Sequence, residues 1–272
     1  MMKTLNLNNR IISLETPIIM GILNITEDSF FDGGKYLSET AVLKRVEQIL
    51  EVGATIVDVG AVSTKPNAIT EVNEGFEFET IFKYVKLILS HFPEAHISVD
   101  TYRAKVAEMA IMEGAAMIND VSGGADENMF NVVGKHKVPY VLTHNSRNNP
   151  LQTKELIPNI LSFFGNNIEK LISSGVNDII IDLGFGFGKT LEQNYYLLRH
   201  LKAFSMINHP MLVGISRKSM IQQVLDVTSS ESLCGTVALN TFSLLRGANF
   251  LRVHDVRQCA ECIKLFKLIY SQ

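Results

Sequence analysis

DIIIDLG (178–184) sets three isoleucines between two aspartates. A run this short reads as a strand, and its β-branched residues favour a pleated backbone. Seven further runs of the same kind flank it: PIIMGILN (17–24), TIVDVG (55–60), HISVD (96–100), AAMIND (115–120), PYVLTH (139–144), PMLVGIS (210–216) and FLRVHD (250–255). Almost every one stops at a polar residue, namely Asn24, Asp58, Asp100, Asn119, His144, Asp182, Ser216 or His254. Helical patterns separate the runs, over 40–52, 74–91, 104–113, 128–136, 158–173, 190–202, 218–245 with a break near Asp226–Ser230, and 256–270. Eight strand-then-helix units with mostly short connections predict an α/β protein, a single closed parallel (β/α)8 barrel over 17–272, with residues 1–16 as an N-terminal extension. Such a barrel carries its site at the C-terminal ends of the strands, so the polar stops form a ring at that rim.

The length of 272 residues is close to the ~250 typical of this architecture. With 25 basic against 28 acidic residues, net −3, and no polybasic run, nothing points to nucleic acid or a membrane surface, and a small-molecule substrate is expected. The start MMKTLNLNNRII lacks the apolar stretch of a signal peptide, and no run approaches the ~18 apolar residues of a membrane span, so a cytoplasmic protein is expected. Cys259 and Cys262 (C-A-E-C) fall at i,i+3 in the last expected helix and read as small core residues, since no second Cys or His pair completes a metal site. Two stretches rich in turn residues, 26–38 and 62–74, follow the first two strands as long loops on the catalytic face.

Alternation along FLRVHD places Arg252 and His254 on one face. An arginine facing into a barrel needs an anion, so the pair is expected to project toward a negatively charged ligand at the mouth. Strand 7 runs into Ser216-Arg217-Lys218-Ser219 at a helix start, two cations where these barrels often bind phosphate. Asn24 offers a neutral amide oxygen beside a loop, suited to weak ligation of Mg2+ or to a simple strand-end hydrogen bond. Asp100, Asn119 and Asp182, with Lys218, supply acceptors, an amide and a cation around one interior. That mixture suits a flat heterocycle with a donor–acceptor edge, although each residue could instead act as a structural cap. The glycines of GFGFGKT (184–190) fit neither a Walker A loop nor G-x-G-x-x-G; they let backbone approach a ligand, with Phe185 or Phe187 as an aromatic wall.

MGILNITEDSFFDGG (20–34), GATIVDVGAVSTKPNA (53–68), ISVDT (97–101), INDVSGG (118–124), IDLGFGFGKTLEQN (181–194), VGISRKSMI (213–221) and RVHDV (252–256) together resemble the dihydropteroate synthase family. The resemblance covers about 17–270 and implies a pterin-binding barrel, a transferase joining 6-hydroxymethyl-7,8-dihydropterin pyrophosphate to 4-aminobenzoate in folate biosynthesis, Mg2+-dependent, homodimeric and a sulfonamide target. It further implies that Asn24 binds Mg2+ with the pyrophosphate, and that Arg252 and His254 hold the pyrophosphate. Asp100, Asn119, Asp182 and Lys218 would hold the pterin. Phe187, Lys218 and Ser219 would lie on the aminobenzoate side, and Asp32, Thr64 and Lys65 would be substrate-loop residues. Catalysis would rest on Asp100, Lys218, Arg252 and His254.

The chain departs from the family pattern at Glu27, Val62, Lys65, Leu183 and THNSRNNP (143–150). Two other readings fit part of the same pattern: a pterin-barrel methyltransferase using methyltetrahydrofolate, and a non-catalytic pterin-binding protein. SRKS (216–219) and RVHD (252–255), as a pyrophosphate site, favour the synthase over both.

Overall fold

The computed structural model describes residues 4–25, 38–61 and 73–270. The eight strands are β3 (Ile18–Asn24), β4 (Ile56–Gly60), β5 (His96–Asp100), β6 (Met117–Asp120), β7 (Tyr140–Thr143), β8 (Ile179–Asp182), β9 (Met211–Val213) and β10 (Phe250–Val253); they follow a short hairpin, β1 (Thr4–Leu7) and β2 (Arg10–Ser13). They close a parallel barrel in the order β10-β3-β4-β5-β6-β7-β8-β9. The helices are α1 (Glu39–Glu51), α2 (Glu74–His91), α3 (Ala104–Met112), α4 (Met129–His136), α5 (Thr153–Ser173), α6 (Leu191–Arg199), α7 (Ser219–Leu225), α8 (Leu233–Leu245) and α9 (Val256–Tyr270). The expected (β/α)8 architecture is therefore present, with single strands that place each polar stop at one rim.

Local chemistry accounts for the helix limits. Ser38 caps α1 by accepting from the Ala41 amide, and Val42, Val46 and Ile49 form its buried stripe. Thr190 and Gln193 form a reciprocal capping box at the start of α6. Helix α5 begins at Thr153, five residues before the expected Pro158, because the buried stripe Leu156, Ile160, Phe164 starts ahead of the proline and outweighs its missing amide. The expected break in the seventh helical segment is real: Asp226 adopts a left-handed conformation (φ 53°) at the end of α7.

The N-terminal segment is part of the barrel's core. Asn8 and Asn9, at φ 50° and 64°, make the two-residue turn that matches hairpin twist. Leu5, Leu7 and Leu14 then pack with Ile18, Met20, Ile56, Met117, Val141, Ile180, Leu212 and Phe250, sealing the lower end of the interior. A second apolar layer lies between barrel and helices and takes in Cys259. Cys234, Cys259 and Cys262 are all unpaired. No described helix is long and apolar enough to cross a membrane.

Candidate active site

Above the apolar plug, side-chain alternation turns polar residues into the barrel. Arg252 crosses the interior from β10: its Nε donates to Asp58 Oδ2 at 2.6 Å and its Nη2 to Asp100 Oδ2 at 2.7 Å. Asn119 Nδ2 donates to the same Asp58 oxygen at 3.1 Å. The anion expected for Arg252 is thus supplied within the chain, by carboxylates on β4 and β5. In the sequence Asp58 is only a strand end with no assigned role; its partner Arg252 lies six strands later in the chain, so no local signal pairs them. Burial opposes the Arg252 charge, yet Asp58 and Asp100 outweigh it and hold the guanidinium above its usual pKa. Burial pushes the Asp100 carboxyl up to about 7, with Arg252 pulling it down and Asp58 and Asp120 adding to the rise. Asp58 Oδ1, Ser98 Oγ, Asn119 Oδ1 and Thr143 Oγ1 are buried without a hydrogen-bond partner among the described residues. Four neighbouring strands therefore each present an unsatisfied polar atom to the interior.

Asp182 ends β8 and accepts the Gly184 amide at 2.8 Å through Oδ1; burial raises its carboxyl, opposed first by the Lys218 charge. Lys218 reaches in from the start of α7, donates to the Phe185 carbonyl at 2.6 Å, and stands 4.8 Å from the centre of the Phe187 ring. Burial lowers the Lys218 ammonium to about 8, partly offset by Asp182. Of the two phenylalanines expected as an aromatic wall, Phe185 is fully buried in the outer core, and Phe187 is the one beside Lys218. A second lysine, Lys189, escaped the sequence reading. It donates to the carbonyls of His144, Gly184 and Phe187, fixing the glycine loop, and burial brings it down to about 7. His144, one of the expected rim residues, turns outward instead: its ring packs edge-on against Phe163 of α5 and its Nε2 lies 3.4 Å from Asn159 Oδ1.

At the end of β10, His254 Nδ1 lies 3.1 Å from Ser216 Oγ, which also accepts the His254 amide at 3.2 Å. Burial first, then the charges of Arg252 and Arg217, lower the imidazole to about 4, so it is neutral at pH 7. Arg217 does not face the interior. At φ 56° it turns away and binds Asp255 through two bonds, Nε–Oδ2 at 2.9 Å and Nη2–Oδ1 at 2.5 Å. The expected pair of cations thus separates into an inward Lys218 and a structural Arg217, because Asp255 competes for the arginine. Arg45 of α1 donates to the His254 carbonyl at 2.9 Å.

Asn24 ends β3 beside Gly60; a Cβ at that glycine would stand 3.7 Å from Asn24 Oδ1 and 3.4 Å from Asp100 Cβ. The amide thus flanks the polar layer. Ser219 is exposed at the first position of α7, next to Lys218. Asp32, Thr64 and Lys65, with the departures Glu27 and Val62, lie outside the described residues. Among the described residues no group of three or more His, Cys, Asp or Glu could enclose a metal. The Asn24 amide oxygen fits a hard Mg2+ that arrives with its phosphate oxygens and water.

A family model described as "Pterin binding enzyme" matches residues 20–254. Among curated relatives, the dihydropteroate synthase of Clostridium beijerinckii is 40% identical over 94% of this chain and 95% of its own length. That of Haemophilus influenzae is 37% identical over 96% of both. A crystal structure of a Clostridium difficile dihydropteroate synthase obtained with pteroic acid superimposes with a TM-score of 0.90 at 36% identity, covering 95% of this chain and 98% of that one. A Xanthomonas albilineans dihydropteroate synthase with 4-aminobenzoic acid reaches a TM-score of 0.93 at 30% identity over the whole of both chains. Near-complete coverage by synthases, a matching family model and a barrel mouth lined by Asp100, Asn119, Asp182, Lys218 and Arg252 lead to one conclusion: the chain belongs to the dihydropteroate synthase family of pterin-binding enzymes.

Proposed function

We propose that the residues of the polar layer carry out the family's condensation as follows. The pterin lies across Asp100, Asn119 and Asp182, where its ring and amino N–H groups meet carboxylates and the unpaired Asn119 Oδ1. The observation that carries this reading is the set of unsatisfied buried polar atoms over an apolar plug. Lys218 caps the heterocycle opposite Asp182. The methylene C–O bond breaks ahead of amine attack, with the electron pair leaving on pyrophosphate. The resulting cationic methylene faces the Asp100 carboxylate, a preorganised electrostatic stabilisation. The arylamine nitrogen then forms the C–N bond and sheds its proton afterwards, so no protein general base is required.

Arg252 and the neutral His254 hold the leaving pyrophosphate. A guanidinium has five N–H donors, so it can take the anion while keeping its bonds to Asp58 and Asp100. Asn24 would hold a Mg2+ bound with the substrate, and that ion would neutralise developing phosphate charge. Phe187, Lys218 and Ser219 form the aminobenzoate side, the place where a sulfonamide would compete; Asp32, Thr64 and Lys65 would complete it. A coupled assay of pyrophosphate release tests the reading: release is expected only with dihydropterin pyrophosphate, 4-aminobenzoate and Mg2+ together. Release independent of the arylamine would overturn it, as would none at all.

A homodimer is supported by the apolar exposed face of α8. Thr236, Asn240 and Ser243 are buried together with Leu244, whereas Cys234, Ala238 and Leu245 are exposed. A second copy covering that face would bury these apolar side chains, and Ala238→Glu is expected to halve the mass seen by sedimentation. An exposed free Cys234 suits the reducing cytoplasm.

A further inference from the structure

The loop after β7 carries the largest departure from the family pattern, and the reaction as described makes no use of it. Its backbone is stitched to the glycine loop. Ser146 Oγ donates to the carbonyls of Phe187 and Gly188 at 3.2 and 3.1 Å, and its amide reaches the Phe187 carbonyl at 3.3 Å. Asn145 ties the other side, donating to the Val121 carbonyl at 3.0 Å and accepting the Arg147 amide at 3.1 Å. Gly188, at φ +70°, has no Cβ to strike the Arg147 amide, which would lie 2.3 Å away. These bonds fix where Arg147 leaves the backbone.

Its guanidinium sits 4.7 Å from the centre of the Phe187 ring, the same ring that Lys218 approaches at 4.8 Å. The two cations differ in setting. Lys218 is turned inward to the Phe185 carbonyl and faces the Asp182 charge. Arg147 belongs to an exposed stretch on the solvent side. An arylamine acid must enter this mouth with its amine toward the buried pterin and its carboxylate toward solvent, so its charge meets Arg147.

We propose that Arg147 recognises the carboxylate of the arylamine substrate and is the residue by which this enzyme prefers an acid to a neutral arylamine. The inference rests on the synthase reading above and adds a binding residue that the sequence motifs did not indicate. A guanidinium presents paired donors to a carboxylate, and its stack on Phe187 holds that fork beside the substrate ring.

The test compares 4-aminobenzoate with 4-aminobenzamide, which keeps ring and amine but lacks the charge, each as substrate or as competitor. In the native enzyme the acid should be favoured. Arg147→Gln should raise KM for the acid by about tenfold, the scale of one charged hydrogen bond, and leave the amide unchanged. KM for dihydropterin pyrophosphate should stay within about twofold, and Arg147→Lys should recover part of the preference. An equal loss for acid and amide would reduce Arg147 to a packing role and overturn the proposal, as would an unchanged ratio. Absence of turnover by the native enzyme with either arylamine would instead overturn the synthase reading itself.

Discussion

Arg252 and Asp58 are linked across the barrel interior, Nε to Oδ2 at 2.6 Å, with the aspartate fully buried. The pair joins the last strand to the second of the barrel and leaves Arg252 Nη2 to hold Asp100. Asp58 is therefore a positioning residue: it sets the arginine whose charge opposes the burial-driven rise of the Asp100 carboxyl.

Removing one member of such a pair strands the other charge at a cost of roughly 3–5 kcal/mol. Asp58→Asn should lower Tm and reduce kcat at least tenfold. The double variant Asp58→Asn, Arg252→Met should regain much of the stability while remaining inactive, because Asp100, already raised to about 7 by burial, then takes up a proton in place of its lost cation and no buried charge stays unpaired. A double variant less stable than the sum of both single changes would sink this account.

The shifted groups set a pH dependence. Asp100 acts as a carboxylate and titrates at about 7, so kcat/KM should rise with pH through that value. Lys218 acts as a cation and titrates at about 8, so kcat/KM should fall above it, giving a narrow bell for the free enzyme. Asp100→Asn should erase the acid limb with a loss of about 10²–10³ in kcat. Lys218→Arg should move the alkaline limb upward, since a guanidinium stays charged. Lys189, also lowered to about 7, serves as the control through Lys189→Arg. An acid limb that survives in Asp100→Asn would assign it to another group. The Asp100 shift also bears on stability: the folded state binds this proton more tightly than the unfolded one, so its contribution declines as pH rises from 3.8 toward 7.

The barrel was legible because its strands are short, β-branched and separated by helical stripes, a pattern that local sequence states directly. The inward placement of Asp100, Asn119, Asp182 and Arg252 was legible for a related reason, since alternation fixes facing once a strand is known. What escaped was partnership. Nothing local says that Arg217 will be claimed by Asp255, or that His144 will turn to Phe163 while its neighbour Thr143 faces in; both depend on contacts distant in sequence. The hairpin turn Asn8-Asn9 is a local signal that went unread, two residues tolerant of positive φ after the alternating Leu5 and Leu7.

Gly188→Ala isolates the stitch between the two loops. The new Cβ would meet the backbone of Ser146 and Arg147, and φ +70° is itself unfavourable for alanine, together worth about 1–3 kcal/mol. Phe187 and the β7 loop should separate, raising KM for 4-aminobenzoate several-fold with little change for the pterin substrate. Equal effects on both KM values would show that the loop shapes the pterin end as well.

The lower end of the barrel should answer to stability alone. Leu7 is fully buried among Ile18, Met20 and Phe250, on the face opposite the polar layer. Truncating a buried leucine costs about 2–5 kcal/mol through lost transfer energy and the cavity left behind. Leu7→Ala should therefore lower Tm by several degrees. The Arg252 pairs lie above the plug, and their geometry is set by β4, β5 and β10, which the hairpin supports without touching the charged atoms. Both KM values and the pH profile should stay within about twofold of native at temperatures where the variant is folded, the division expected when function rests on one rim and stability on the other. A change in KM for dihydropterin pyrophosphate would mean that the plug sets the depth of the polar layer.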